Sequence, residues 1–133
     1  MKTVLVIEDD PSNLVFFSTV LKRWGYKVLE AMNARDALSR FLENGQGIDL
    51  ILANVTLPDR SGTAVACELY GLQPGIRVLF ASGTPVHLWT ERDSQNLASL
   101  PAGNFAFIAK PFTAESLRRK IDELLCGKQT RTA

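Results

Sequence analysis

At 133 residues and 14.7 kDa the chain has the size of one ordinary domain with a single core, and 46% apolar against 22% charged residues argues against disorder over most of its length. Fifteen basic residues against fourteen acidic leave a formal charge of +1, so there is no broad basic field to attract nucleic acid. The longest apolar runs are a handful of residues, far short of the ~20 that span a bilayer, and the run in MKTVLVIEDD stops at Glu8, too short for a signal-peptide core.

Short β-branched runs alternate with helical patterns. Residues 2–7, KTVLVI, read as a first strand. Asp10 and Pro11 then open a helix as N-cap and first-turn proline; Phe17, Leu21 and Trp24 fall at helical spacing, and Gly25 stops it. YKVLEA is the second strand. Asn33 caps a second helix with Ala37, Leu38, Phe41 and Leu42 on one face and Gly45 at its end. IDLILA, apolar on both faces apart from Asp49, has the character of a central parallel strand. A short helix follows from Thr63 to about Leu72, then a Pro74-Gly75 turn, and IRVLFA is strand four.

Residues 83–109 have a poor helical pattern and carry His87, Leu88 and Trp89 close together, before FAFIA forms strand five. Thr113 caps the last helix, with Leu117, Ile121, Leu124 and Leu125 inward and Arg118, Arg119 and Lys120 largely outward. Five such units predict an α/β fold, a parallel sheet with helices on both faces. One domain is expected over residues 1–126 and a polar, frayed tail over 127–133. With no further domain after the tail, any effect would pass through a partner, unless the chain is a piece of a longer protein. Cys67 and Cys126 lack metal-ligand spacing, which suits a reduced, cytoplasmic protein.

The unusual polar residues collect at the strand ends. Glu8, Asp9 and Asp10 follow strand one, Asn54 ends strand three, Ser82 ends strand four and Lys110 ends strand five. Open α/β sheets bind ligands at that edge. Carboxylates there suit a hard cation such as Mg²⁺, while an ammonium and a hydroxyl suit phosphoryl oxygens.

In this order and at these places, VLVIEDDPSN, DLILANVTLP…SG, VLFASG and FIAKPF resemble the receiver domain of bacterial two-component response regulators, over about residues 2–126. The resemblance implies a flavodoxin-like doubly wound sheet of five strands in the order 2-1-3-4-5. It implies that Asp9 would ligate Mg²⁺ directly, Glu8 through water, and that Ser82 and Lys110 would contact a phosphoryl group. It also implies that Ser82 and Phe107 are switch residues and that the Lys110–Pro111 bond is cis. Asn54 stands where receivers carry the phospho-accepting aspartate.

An amide is not the nucleophile that an aspartyl phosphate needs. Transfer from a histidine kinase should fail at residue 54, and the Mg²⁺ site formed by Glu8, Asp9 and Asn54 should be weakened. The amide oxygen can still act as a ligand, or its NH₂ can bond to Asp9 and leave the oxygen for Lys110. The expected function is therefore a pseudo-receiver that binds a histidine kinase or a downstream effector without phosphorylation. The resemblance also implies that the fourth and fifth helices and the fifth strand are a face through which a homodimer can form, the oligomeric state being left open. No nucleic-acid or membrane partner and no enzyme activity are expected.

Plainer readings accompany each residue. Asp10 serves as an N-cap. The plainer reading makes Glu8 and Asp9 solvated loop acids and Asn54 a turn residue, though the functional reading accounts better for their placement, and Phe107 reads equally as core packing. His87 reads as a loop residue and the two cysteines as inert. One alternative function is a conventional Mg²⁺-dependent phospho-receiver whose Asn54 is engineered or replaced by Asp59 as acceptor. A second is a small-molecule or cofactor enzyme on the same fold, although Glu-Asp-Asp-Pro after strand one repels phosphate and G-x-G-x-x-G is missing.

Overall fold

Side chains on successive strand residues point to opposite faces, and the central strands here are apolar on both. In the computed structural model, which describes residues 1–44 and 47–126, β1 (Thr3–Ile7), β3 (Leu50–Asn54) and β4 (Arg77–Ser82) are those central strands. β2 (Lys27–Ala31) and β5 (Phe105–Ala109) form the edges, and all pairings are parallel in the order β2-β1-β3-β4-β5. The expected flavodoxin-like order is the one observed.

Strand alternation splits the core in two. Val4, Val6, Leu50, Leu52, Leu79 and Ala81 face α1 (Pro11–Arg23) and α5 (Ala114–Cys126), packing on Phe17, Leu21, Leu117 and Ile121. Leu5, Ile7, Ile51, Ala53, Val78 and Phe80 face the other way, toward α2 (Ala34–Glu43) and α3 (Gly62–Leu72), meeting Phe41, Val65 and Leu69. Asp49, the polar exception before β3, accepts the Thr3 N–H on Oδ2 at 2.8 Å, so it ties the start of β3 to β1.

The helix signals act locally as expected. Asp10 caps α1 by accepting the Ser12 N–H at 3.1 Å, Asn33 caps α2 by accepting the Asp36 N–H at 2.7 Å, and Thr113 Oγ1 accepts the Ser116 N–H at 3.0 Å. Gly25, at φ +95°, supplies the left-handed turn after α1. Two expectations are corrected. Leu42 is 62% exposed, because Ala34, Ala37 and Phe41 set the inward face of α2 and the next residue lies about 100° further round. Residues 83–109 hold a true helix, α4 (Glu91–Ala98), flanked by 3₁₀ turns at Val86–Leu88 and Ala102–Asn104. Asp93 is the buried residue of α4, so apolar periodicity had little to detect. Gly45 and the tail at 127–133 lie outside the described residues. No helix among the described residues is long and apolar enough to cross a membrane.

Candidate functional site

Parallel strands all end at one edge, and that edge brings Glu8, Asp9, Asn54 and Lys110 together. Glu8 is 1% exposed directly after β1, and burying a lone carboxylate there would be costly. Two partners compensate it: Oε2 accepts the Asp10 N–H at 3.1 Å, and Oε1 pairs with Lys110 Nζ at 3.2 Å. Lys110 leaves β5 at a cis bond to Pro111, and its ammonium also donates to Asn54 Oδ1 at 3.3 Å. Asn54 Nδ2 donates to Asp9 Oδ1 at 3.1 Å and to the Thr56 carbonyl at 3.0 Å. Of the two amide orientations open to the sequence, this is the one with nitrogen toward Asp9 and oxygen toward Lys110.

Every polar atom of the Asn54 side chain thus has a partner of the right sense. A carboxylate at this position could not donate to Asp9 or to Thr56. The loop that follows is held under the site: Thr56 bridges Ser61, and the Gly62 N–H donates to the Val55 carbonyl at 2.7 Å. Gly62 is part of the quoted motif, and the structure gives the reason. A Cβ there would stand 2.1 Å from the Asn54 carbonyl oxygen.

Ser82, buried at the end of β4, is near in sequence register but otherwise engaged. Its hydroxyl donates to the Thr84 carbonyl at 3.1 Å and accepts the Thr84 N–H at 3.0 Å. Phe107, half-buried on edge strand β5, packs against Phe80, Phe105 and Trp89. Asp59 is exposed, and its carboxylate accepts the Ala34 and Arg35 N–H groups at 2.9 and 3.1 Å. The Ala34 N–H, with its neighbours, holds the Asp59 carboxyl below the usual range. That carboxylate is engaged in capping the first turn of α2. His87 is exposed on the 3₁₀ turn.

As arranged, the pocket fits Mg²⁺ poorly. A cation between Asp9 and residue 54 needs oxygen lone pairs, and Asn54 presents hydrogens there. Each Glu8 oxygen already accepts one hydrogen bond, from the Asp10 N–H and from Lys110, which leaves one lone pair on each. Among the described residues no group of three or more His, Cys, Asp or Glu side chains could hold a metal ion.

Several structural partners of the site went unread in the sequence. Asp93, at the first turn of α4, is 7% exposed and accepts hydroxyl bonds from Ser61 and from Thr63, the latter at 2.6 Å. Burial pushes its carboxyl up, but the hydrogen bonds from Ser61, Thr63 and Thr90 outweigh this and hold it below the usual range. Asn96 Nδ2 adds a bond to Thr63 Oγ1 at 3.1 Å. The only sequence signal was a Ser-x-Thr pair after the acceptor loop, too common to carry weight alone.

The profile of the response regulator receiver domain matches residues 4–122. Sensor kinase CckA of Brucella abortus (strain 2308) is 30% identical over 124 residues, 92% of this chain and 12% of that protein. Other curated relatives include transcriptional regulatory proteins; the chain spans 12% to 49% of the length of such relatives. The receiver domain protein (CheY-like) from Methanospirillum hungatei JF-1 has a TM-score of 0.80 at 28% identity, covering 95% of this chain and 94% of that one. Response regulator TrrA of Thermotoga maritima, solved in complex with Mg²⁺-BeF, shares the fold with a TM-score of 0.75 at 24% identity, covering 94% of this chain and 100% of that one. With the 2-1-3-4-5 sheet and the strand-end residues at one edge, the match over nearly the whole length means that this chain belongs to the response regulator receiver domain family.

Proposed function

We propose that this receiver domain signals by binding a protein partner without being phosphorylated at residue 54. One observation carries the reading. The Asn54 amide is fully used as a structural group, donating to Asp9 and Thr56 and accepting from Lys110. Phosphoryl transfer needs an oxygen nucleophile at this place, and the neutral amide supplies none. The ammonium of Lys110 is spent on Glu8 and Asn54, so the pocket is electrostatically closed without an incoming anion.

The partner is a histidine kinase or a downstream effector. The surface offered is the face of α4, edge strand β5 and α5, which also suits a second copy of the chain. On α5, Arg118 lies 5.3 Å above the Trp24 ring and Arg119 is exposed. Its role is binding, not catalysis. Cys67 and Cys126 are free thiols, in keeping with the cytoplasm. The roles of Glu8, Asp9, Ser82, Phe107 and Lys110 follow from their match to the family's motifs and are part of this proposal.

Intact mass after incubation with Mg²⁺ and acetyl phosphate tests the reading, with Asn54→Asp beside the native chain. We expect a phosphoryl group on the Asn54→Asp variant alone. A phosphorylated native chain would mean that another residue accepts phosphate and would sink the proposal.

A further inference from the structure

The turn between β4 and α4 holds a second arrangement that involves none of the contacts of Asn54. Ser82 has one hydroxyl hydrogen, and it goes to the Thr84 carbonyl at 3.1 Å. The Thr84 N–H returns a bond to Ser82 Oγ at 3.0 Å, closing a tight local turn. That same Thr84 carbonyl also accepts the Trp89 indole N–H at 2.8 Å. The indole therefore fixes the position of the group that occupies Ser82.

The Trp89 ring acts on the neighbouring strand as well. It stands edge-on to Phe107, with centroids 5.2 Å apart at 80°, and to Phe80 at 6.4 Å and 76°. A cavity of about 60 Å³ lies among Ser82, Thr84, Trp89 and Phe107. Trp89 is itself anchored. It precedes Thr90, the N-cap of α4, whose Oγ1 accepts the Asp93 N–H at 3.0 Å. Asp93 in turn is bound to Ser61 and Thr63, and the Cys67 thiol donates to the Asn96 carbonyl at 3.0 Å.

We propose that Trp89 is a latch that holds Ser82, Thr84 and Phe107 in one arrangement, so the ends of β4 and β5 are fixed independently of residue 54. The proposal rests on the reading of the domain as a receiver frame with a silent acceptor, and adds a second lock that is separable from the first. Restoring a carboxylate at residue 54 would supply an acceptor without releasing Ser82.

Hydrogen exchange followed by NMR tests the latch without any phosphorylation. In the native chain the Trp89 indole proton is expected to be protected. In Trp89→Phe, which keeps an aromatic ring but loses the N–H donor and part of the indole's volume, the Thr84 amide is expected to exchange about tenfold faster while β3 amides keep their rates. An unprotected indole proton, or a Thr84 amide unchanged in Trp89→Phe, overturns the proposal.

A second arm uses Asn54→Asp with Mg²⁺ and acetyl phosphate, with intact mass counting the phosphoryl groups. The Thr84 amide and Phe107 ring signals should stay in place when Trp89 is present and shift on phosphorylation when Trp89→Phe is added. A shift with Trp89 intact overturns the latch. If Asn54→Asp gains no phosphoryl group, the receiver-frame reading fails, and the exchange measurements alone decide the latch.

Discussion

Gly62 and Asn54 form one unit at the level of single residues. The carbonyl of Asn54 fills the space that a Cβ at residue 62 would take, at 2.1 Å, with Val55 Cα at 3.1 Å behind it. The obstacle is backbone, so it cannot swing aside as a side chain would. The clash also falls on the residue whose amide links Asp9, Thr56 and Lys110. Gly62→Ala is expected to lower stability by at least about 2 kcal/mol, read as the urea midpoint, with the slope of the transition unchanged. A midpoint equal to that of the native chain would mean that the loop relaxes freely, and that Asn54 is less tightly held than its contacts indicate. The glycine stands in the quoted motif, so its presence was legible. Its reason was not, because the approach of residue 62 to residue 54 depends on the fold of the loop between them.

At the scale of elements, α4 is held differently from the other helices. They dock through apolar faces, such as Phe17 and Leu21 on α1 or Leu117 and Ile121 on α5. The first turn of α4 docks through a buried carboxylate and two hydroxyls. This makes its attachment sensitive to acid. The Asp93 carboxyl sits below its ordinary value of 3.8 in the folded chain, so it binds fewer protons folded than unfolded just below that pH. Its stabilisation is therefore complete above the ordinary value and is lost as pH falls through the lowered one. Asp93→Ala leaves the Ser61 and Thr63 hydroxyls without their acceptor and should cost about 2 kcal/mol at neutral pH. The gap to the native chain should narrow below about pH 4. A gap that is constant with pH would show that Asp93 contributes only by packing. The same docking explains what the sequence concealed. Apolar spacing marked out α1, α2 and α5, each of which buries several apolar or small residues. In α4 the buried side is Asp93, with Asn96 and Leu97 only half-buried, and polar docking of this kind depends on partners 30 residues away in the chain.

For the molecule as a whole, the all-parallel sheet delivers four chemically distinct residues from β1, β3 and β5 to one edge, and this much could be read from strand order and motif. What the edge does with a cation depends on a single amide. In the native pocket Asn54 turns hydrogens toward Asp9, and Lys110 neutralises Glu8, so Mg²⁺ finds little to bind. In Asn54→Asp, a third carboxylate would stand beside Asp9 and Glu8 with two hydrogen bonds lost, and the repulsion would lower stability until a cation relieves it. A ligand that binds only the folded state raises stability by RT ln(1 + [L]/Kd), about 2.7 kcal/mol at a hundredfold excess over Kd. For a domain of this size that is a rise in Tm of roughly 10 °C. Thermal unfolding with and without Mg²⁺ should therefore show the Asn54→Asp chain less stable than native without the cation and raised by about that amount with it. The native chain should barely respond. An equal rise in the native chain would mean that the cation turns the Asn54 amide over and takes its oxygen as ligand. Residue 54 would then be a weakened metal ligand rather than a donor that closes the pocket, and the partner-binding state would depend on Mg²⁺.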